Sequence, residues 1–198
     1  MRKIFALAVS LFIFSFSFAQ SAPKRDMSEF AAVRTIESGF KMSKHISIAQ
    51  NPLESEGKFY FQNPGSLRWE YSNPYNYGFI IHDGKTVSWQ EKDGKAEVRD
   101  ISSQPAAKEM AQQLYIFVSM DMEKISKFYR TESFDGGIVL YPKNNSKKQM
   151  INDIKIYFSE KITAVREVVI SERSGDKTVI TFSDTKIDGL LPQNAFTV

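Results

Sequence analysis

The 198-residue sequence predicts a mainly β (α+β) fold: an incomplete, strongly curved antiparallel β-barrel, with helices forming a lid over an apolar cavity. Three observations lead there. Strand-period alternation with large apolar residues recurs along most of the chain, with turn residues at close, even spacing. The period changes to that of a helix only before the first strand and once in the middle. The aromatic supply, 16 Phe and 8 Tyr, is large for the modest apolar content of those helices, so the sheet's inner face exceeds its cover.

In chain order, Arg2 and Lys3 precede an uncharged apolar run from Ile4 to Phe18, and Ser17-Phe-Ala19 has the small residues read by signal peptidase. Residues 1–19 are therefore expected to be a cleaved signal peptide, and residues 20–198 a single domain exported to the periplasm. Removal of Arg2 and Lys3 with no acidic residue lowers the formal net charge from +3 to +1. Such a balance gives no electrostatic case for nucleic acid. There is no Cys, which excludes disulfides, thiolate chemistry and Cys-type zinc sites.

Asp26-Met-Ser-Glu29 has the capping-box pattern, and Met27, Phe30, Val33 and Ile36 predict a short amphipathic helix over 27–36. Phe40, Met42, Ile46 and Ile48 alternate with polar residues and predict a long first strand, with residues 51–57 as a loop. Phe59 and Phe61, then Leu67, Trp69 and Tyr71, each share one face of a run, and Asn63-Pro-Gly-Ser66 between them is turn chemistry. That is a hairpin with one oily side and one wet side. Tyr77, Phe79 and Ile81 continue the pattern, and His82-Asp-Gly84 and Lys92-Asp-Gly94 turn the chain into two further strands.

From Pro105 to Met120, Ala107, Met110, Ala111, Leu114, Phe117 and Val118 fall at helical spacing. A second short helix is expected from Asp121 through Ile125 and Phe128. Strands then resume at 137–141, 150–159, 163–172 and 178–183, with Arg173-Ser-Gly-Asp176 as a tight turn. Roughly ten strands in one meander must curl or close.

Enzyme chemistry has little support. His45 lies on a polar strand face and His82 at a turn, without ligand-spaced partners for a metal. Phosphate loops, nucleophile elbows and metalloprotease motifs are missing. A binding protein without cofactor or metal is expected. An aromatic stripe on one strand would mean only a packed core, but here it extends over most of the sheet.

Gly57-Lys-Phe-Tyr-Phe-Gln-Asn-Pro-Gly-Ser-Leu-Arg-Trp-Glu-Tyr71, His82-Asp-Gly-Lys-Thr86 and Gly175 to Phe182 resemble the outer-membrane lipoprotein carrier (LolA) family. The resemblance covers nearly the whole chain after the signal. It implies an unclosed barrel with a helical lid, binding the acyl chains of lipoproteins and shuttling them from the inner to the outer membrane. It also implies an inner-membrane lipoprotein-release complex and an outer-membrane acceptor as partners of a monomer. The expected lipid-binding residues are Phe59, Phe61, Leu67, Trp69, Tyr71, Phe79 and Ile81 on the sheet, Met110, Leu114 and Phe117 on the lid, and Ile156 and Phe158 on later strands. Asn63 stands where many family members carry an arginine before the proline, and Arg68 matches a common basic position. Asn63 and Arg68 are assigned to a lid latch. The alternatives are a related periplasmic lipid- or glycolipid-binding carrier, an envelope sensor of the same fold, or an interaction domain with a filled core.

Overall fold

The computed structural model describes residues 27–105, 114–115, 118–143, 150–161 and 163–198. The expected signal peptide, Asp26 of the capping box, and Met110 and Phe117 of the lid lie outside the described residues.

Eleven strands pair antiparallel throughout. They are β1 (Thr35–His45), β2 (Leu53–Gln62), β3 (Ser66–Asn73), β4 (Tyr77–His82), β5 (Lys85–Lys92), β6 (Lys95–Asp100), β7 (Tyr129–Phe134), β8 (Gly137–Pro142), β9 (Ile151–Phe158), β10 (Val165–Glu172) and β11 (Lys177–Ile187). Their spatial order is β6-β5-β4-β3-β2-β1-β11-β10-β9-β8-β7. This is not the single meander expected from the sequence. Two meanders, β1–β6 and β7–β11, are sewn together where β1 pairs β11 over Ile36↔Ile187 to His45↔Lys177. The sheet stays open, with β6 and β7 as its edges. The chain between them, which leaves one edge and returns to the other, supplies the lid.

Helix α1 (Ser28–Ala32) is shorter than the expected 27–36. Strand pairing takes over from helical periodicity, because Thr35 already faces Gln62 and Ile36 faces Phe61. Strand β1 starts earlier and ends sooner than its alternation suggested, leaving Ile48 outside the sheet. Residues 53–57 belong to β2 rather than to a loop, since the long β1 offers them partners as far as Lys44. Strand β7 has no sequence signature: in Tyr129-Arg-Thr-Glu-Ser-Phe134 only Tyr129 is buried, as suits a solvated edge.

Pro105 and residues 114, 115, 118 and 119 are helical. Helix α2 (Met122–Phe128) starts where expected, with Asp121 as its cap: the Asp121 carboxylate accepts from the Lys124 amide at 3.0 Å. Two turns behave as their residues dictate. Asp83-Gly84 and Asp93-Gly94 both hold positive φ at two successive positions, the geometry of a tight two-residue hairpin. Phe40, Phe61, Leu67 and Trp69 of one meander and Leu140, Ile154 and Ile156 of the other are fully buried. They share one cluster with Met120 and Ile125 from the insertion. The core thus lies between the sheet's inner face and the inserted helices.

Candidate functional site: an apolar cavity under the lid

The core is not filled everywhere. Along the β1–β11 seam a cavity of about 280 Å³ remains. Its floor comes from alternate residues of both meanders: Met42 of β1, Phe59 of β2, Trp69 and Tyr71 of β3, Val168 and Ile170 of β10, and Ile180 and Phe182 of β11. Phe30 and Val33 close one side, and Leu114 and Val118 of the helical insertion form the roof. Among the described residues, every member of the lining is apolar or an uncharged Thr or Tyr.

A glycine shapes this wall. Phe40 lies opposite Gly57 in the β1–β2 pairing, and its ring stacks on Trp69 with centroids 4.3 Å apart. A Cβ at Gly57 would stand 1.9 Å from the Glu70 carbonyl oxygen and 2.9 Å from the Phe40 ring. The absent side chain is therefore what lets three aromatic layers, Phe40, Trp69 and Phe59, stack (5.5 Å between the last two centroids). Tyr71 closes the row, edge-on to Phe40 at 5.3 Å and stacked on Tyr77 at 4.4 Å. Burial pushes the Tyr71 phenol up to about 12, so it is neutral at any physiological pH. Trp69 Nε1 is itself buried without a hydrogen-bonding partner among the described residues.

Of the residues expected to bind lipid, Phe59, Trp69, Tyr71 and Leu114 line the cavity. Phe61, Leu67, Phe79, Ile81, Ile156 and Phe158 share the sheet's inner face but do not line it. Helical side chains pack on two of them: Tyr115 on Phe61 at 5.4 Å, and Phe30 on Phe158 at 4.8 Å. The β1–β11 seam lies outside the expected set. Its signal was present in the alternating Met42, Ile180 and Phe182, but only strand order shows that these side chains are neighbours of Trp69.

The lid fastening differs from the expected one. Tyr115 hydroxyl accepts a hydrogen bond from the Gly65 amide at 3.0 Å, tying the helical insertion to the turn between β2 and β3. Asn63 and Pro64 border a second, more polar hollow of about 430 Å³, with Tyr115 and residues 119–124 across from them. Asn63 donates its backbone N–H to the Arg34 carbonyl. Among the described residues, Arg68 has its partners away from the lid. It alternates with Leu67 and Trp69 and so faces outward, where it pairs with Glu70 at 2.6 Å, donates to the Thr197 carbonyl and lies over Trp89 at 5.4 Å. It holds the C-terminal segment against the hairpin.

His82 is the last residue of β4, beside the Asp83-Gly84 turn. It hydrogen-bonds Ser66 Oγ at 2.8 Å and stacks on Phe196 at 5.3 Å. Among the described residues, no group of three or more His, Cys, Asp or Glu could hold a metal ion, and no helix is long and apolar enough to cross a membrane.

The sequence is 28% identical over 93 residues to an outer-membrane lipoprotein carrier protein of Methylococcus capsulatus, covering 44% of this chain and 45% of that one, less than half of the relative's length. It is 25% identical over 201 residues to the corresponding protein of Nitrosomonas europaea, covering 98% and 93%. The crystal structure of MucB superposes with a TM-score of 0.50 at 9% identity, over 87% of this chain and 60% of that one, a likeness of fold. The family described as outer membrane lipoprotein carrier protein LolA matches residues 31–198, and the chain belongs to that family.

Proposed function

We propose that the protein is a periplasmic carrier that binds the acyl chains of lipoproteins under its lid and shuttles them from the inner to the outer membrane. The observation that carries this reading is the apolar lining of the cavity between sheet and lid, uncharged among the described residues. Each buried CH₂ of an acyl chain gains about 0.8 kcal/mol, so lipoprotein anchors do not cross water unshielded. An apolar cavity without charge suits that ligand and no polar one. Its volume, about 280 Å³, lies just below the roughly 300–1,000 Å³ typical of ligand pockets. It offers room for part of a cargo, and Leu114 and Val118 on the roof are the side chains that must move for more. Both are only half buried. The reading is one of binding and release, with no catalytic step. Loading would fall to an inner-membrane release complex and delivery to an outer-membrane acceptor.

Inner-membrane vesicles bearing newly made lipoproteins, incubated with the purified protein, test this. Lipoproteins should appear in the soluble fraction in a one-to-one complex. A protein that binds free lipid yet releases no lipoprotein would instead be a lipid or glycolipid carrier, or a sensor, of the same fold.

A further inference from the structure

The strand ends remote from the β2–β3 turn form a rim built from the β1–β2 loop, the β3–β4 loop, the β10–β11 turn and the start of β9. Large apolar side chains stand in water there: Ile48 is 94% exposed, Tyr75 75%, Met150 69% and Leu53 60%. At these exposures the four side chains add little to the core, and they gather at one end of the sheet. Part of the rim is held together: the Ser47 amide donates to Asp176 Oδ1 at 2.8 Å, and the Arg173 amide to the Met150 carbonyl at 2.8 Å.

Charge on the rim is unevenly engaged. Glu172 pairs with Lys44 at 3.4 Å, Asp176 holds the Ser47 amide, and Glu54 accepts from Ser43 Oγ at 2.7 Å. Arg173 and Lys177 are exposed and make no ion pair among the described residues. The cavity reaches toward the same end. Met42, Ile170 and Thr178 line it, and two residues beyond the first two on the same strand faces come Lys44 and Glu172, beside the turn carrying Arg173.

We propose that this rim is a docking surface for an anionic lipid bilayer, with Ile48 and Met150 entering the interfacial layer and Arg173 and Lys177 facing lipid phosphates. Apolar tips beside free cations are what such a surface retains, and neither contribution alone anchors a protein firmly. The inference goes beyond the carrier reading, because cargo taken from a protein complex requires no contact with the bilayer itself.

Co-sedimentation of the exported protein with phosphatidylglycerol-containing vesicles, and with vesicles of phosphatidylcholine alone, tests it. Binding should favour the anionic vesicles. The pair Ile48→Glu and Met150→Glu, and separately Arg173→Gln and Lys177→Gln, should each weaken it on the order of tenfold. Both pairs should keep wild-type binding of a soluble fluorescent acyl probe, which reports an intact fold and cavity. Leu114→Glu should show the reverse pattern, losing the probe and keeping the vesicles. No preference of the wild type for anionic vesicles, or rim variants that sediment like it, would overturn the proposal. So would loss of vesicle binding in Leu114→Glu, which would assign the sedimentation to lipid drawn into the cavity. Failure of probe binding in the wild type with vesicle binding intact would remove the carrier reading and leave the rim standing.

Discussion

Gly57 is the residue on which the cavity wall depends most directly. Any side chain there meets the Glu70 backbone on one side and the Phe40 ring on the other, and backbone cannot step aside as a flexible side chain would. Gly57→Ala should therefore lower stability by about 1–3 kcal/mol, the range for overpacking a core, read as a lower urea midpoint with an unchanged slope. Gly78 is tight for a related reason: a Cβ would lie 2.4 Å from the Trp69 carbonyl and 3.1 Å from Trp89 Nε1. At this scale the aromatic identities were legible in the sequence, since alternation alone puts Phe59, Trp69 and Tyr71 on one face. Which aromatics border empty space was not. Phe61 and Phe59 alternate identically, and among the described residues the ring of Tyr115 above Phe61 separates a packed position from a lining one.

Among the elements, the lid and the β2–β3 hairpin make the functional pair. Their fastening combines the Tyr115 hydroxyl on the Gly65 amide, the Tyr115 ring on Phe61, and Lys124 over the same ring at 5.5 Å. Lys124 is in turn held by Asp121 at 2.8 Å, at the start of α2. One tyrosine thus links the hairpin turn to both parts of the insertion. Tyr115→Phe keeps the ring contacts and removes only the hydrogen bond, worth about 0.5–1.5 kcal/mol. It should accelerate dissociation of a bound acyl probe and raise hydrogen exchange at the Gly65 amide. Unchanged exchange would mean that the bond does not hold the lid. The sequence pointed to Asn63 and Arg68 instead, through resemblance. Strand alternation already set Arg68 opposite Leu67 and Trp69, and that simpler rule matches the outward position observed. Tyr115 left no trace to read, because its partner is a backbone amide that any residue but proline would supply.

For the whole molecule, local periodicity was enough to read a curled, antiparallel sheet with a helical insertion. It was not enough to order the strands. The β1–β11 seam joins residues about 145 positions apart, as in the Ser38 hydroxyl bonded to the Ser183 carbonyl at 3.0 Å, and no short-range pattern encodes that pairing. Yet the seam is where the cavity lies, so the missing long-range pairing and the missed lining residues are one omission. The central claim is that the space between seam and lid receives an acyl chain. Titration of a fluorescent acyl probe into wild-type protein and Leu114→Glu tests it most directly, with circular dichroism of both as the control for folding. A carboxylate on the half-buried roof can reach water in the unliganded protein but must be buried against a bound chain. The account predicts saturable binding by the wild type and loss of at least an order of magnitude in affinity in a folded Leu114→Glu. Equal probe affinity in the two folded proteins would contradict it.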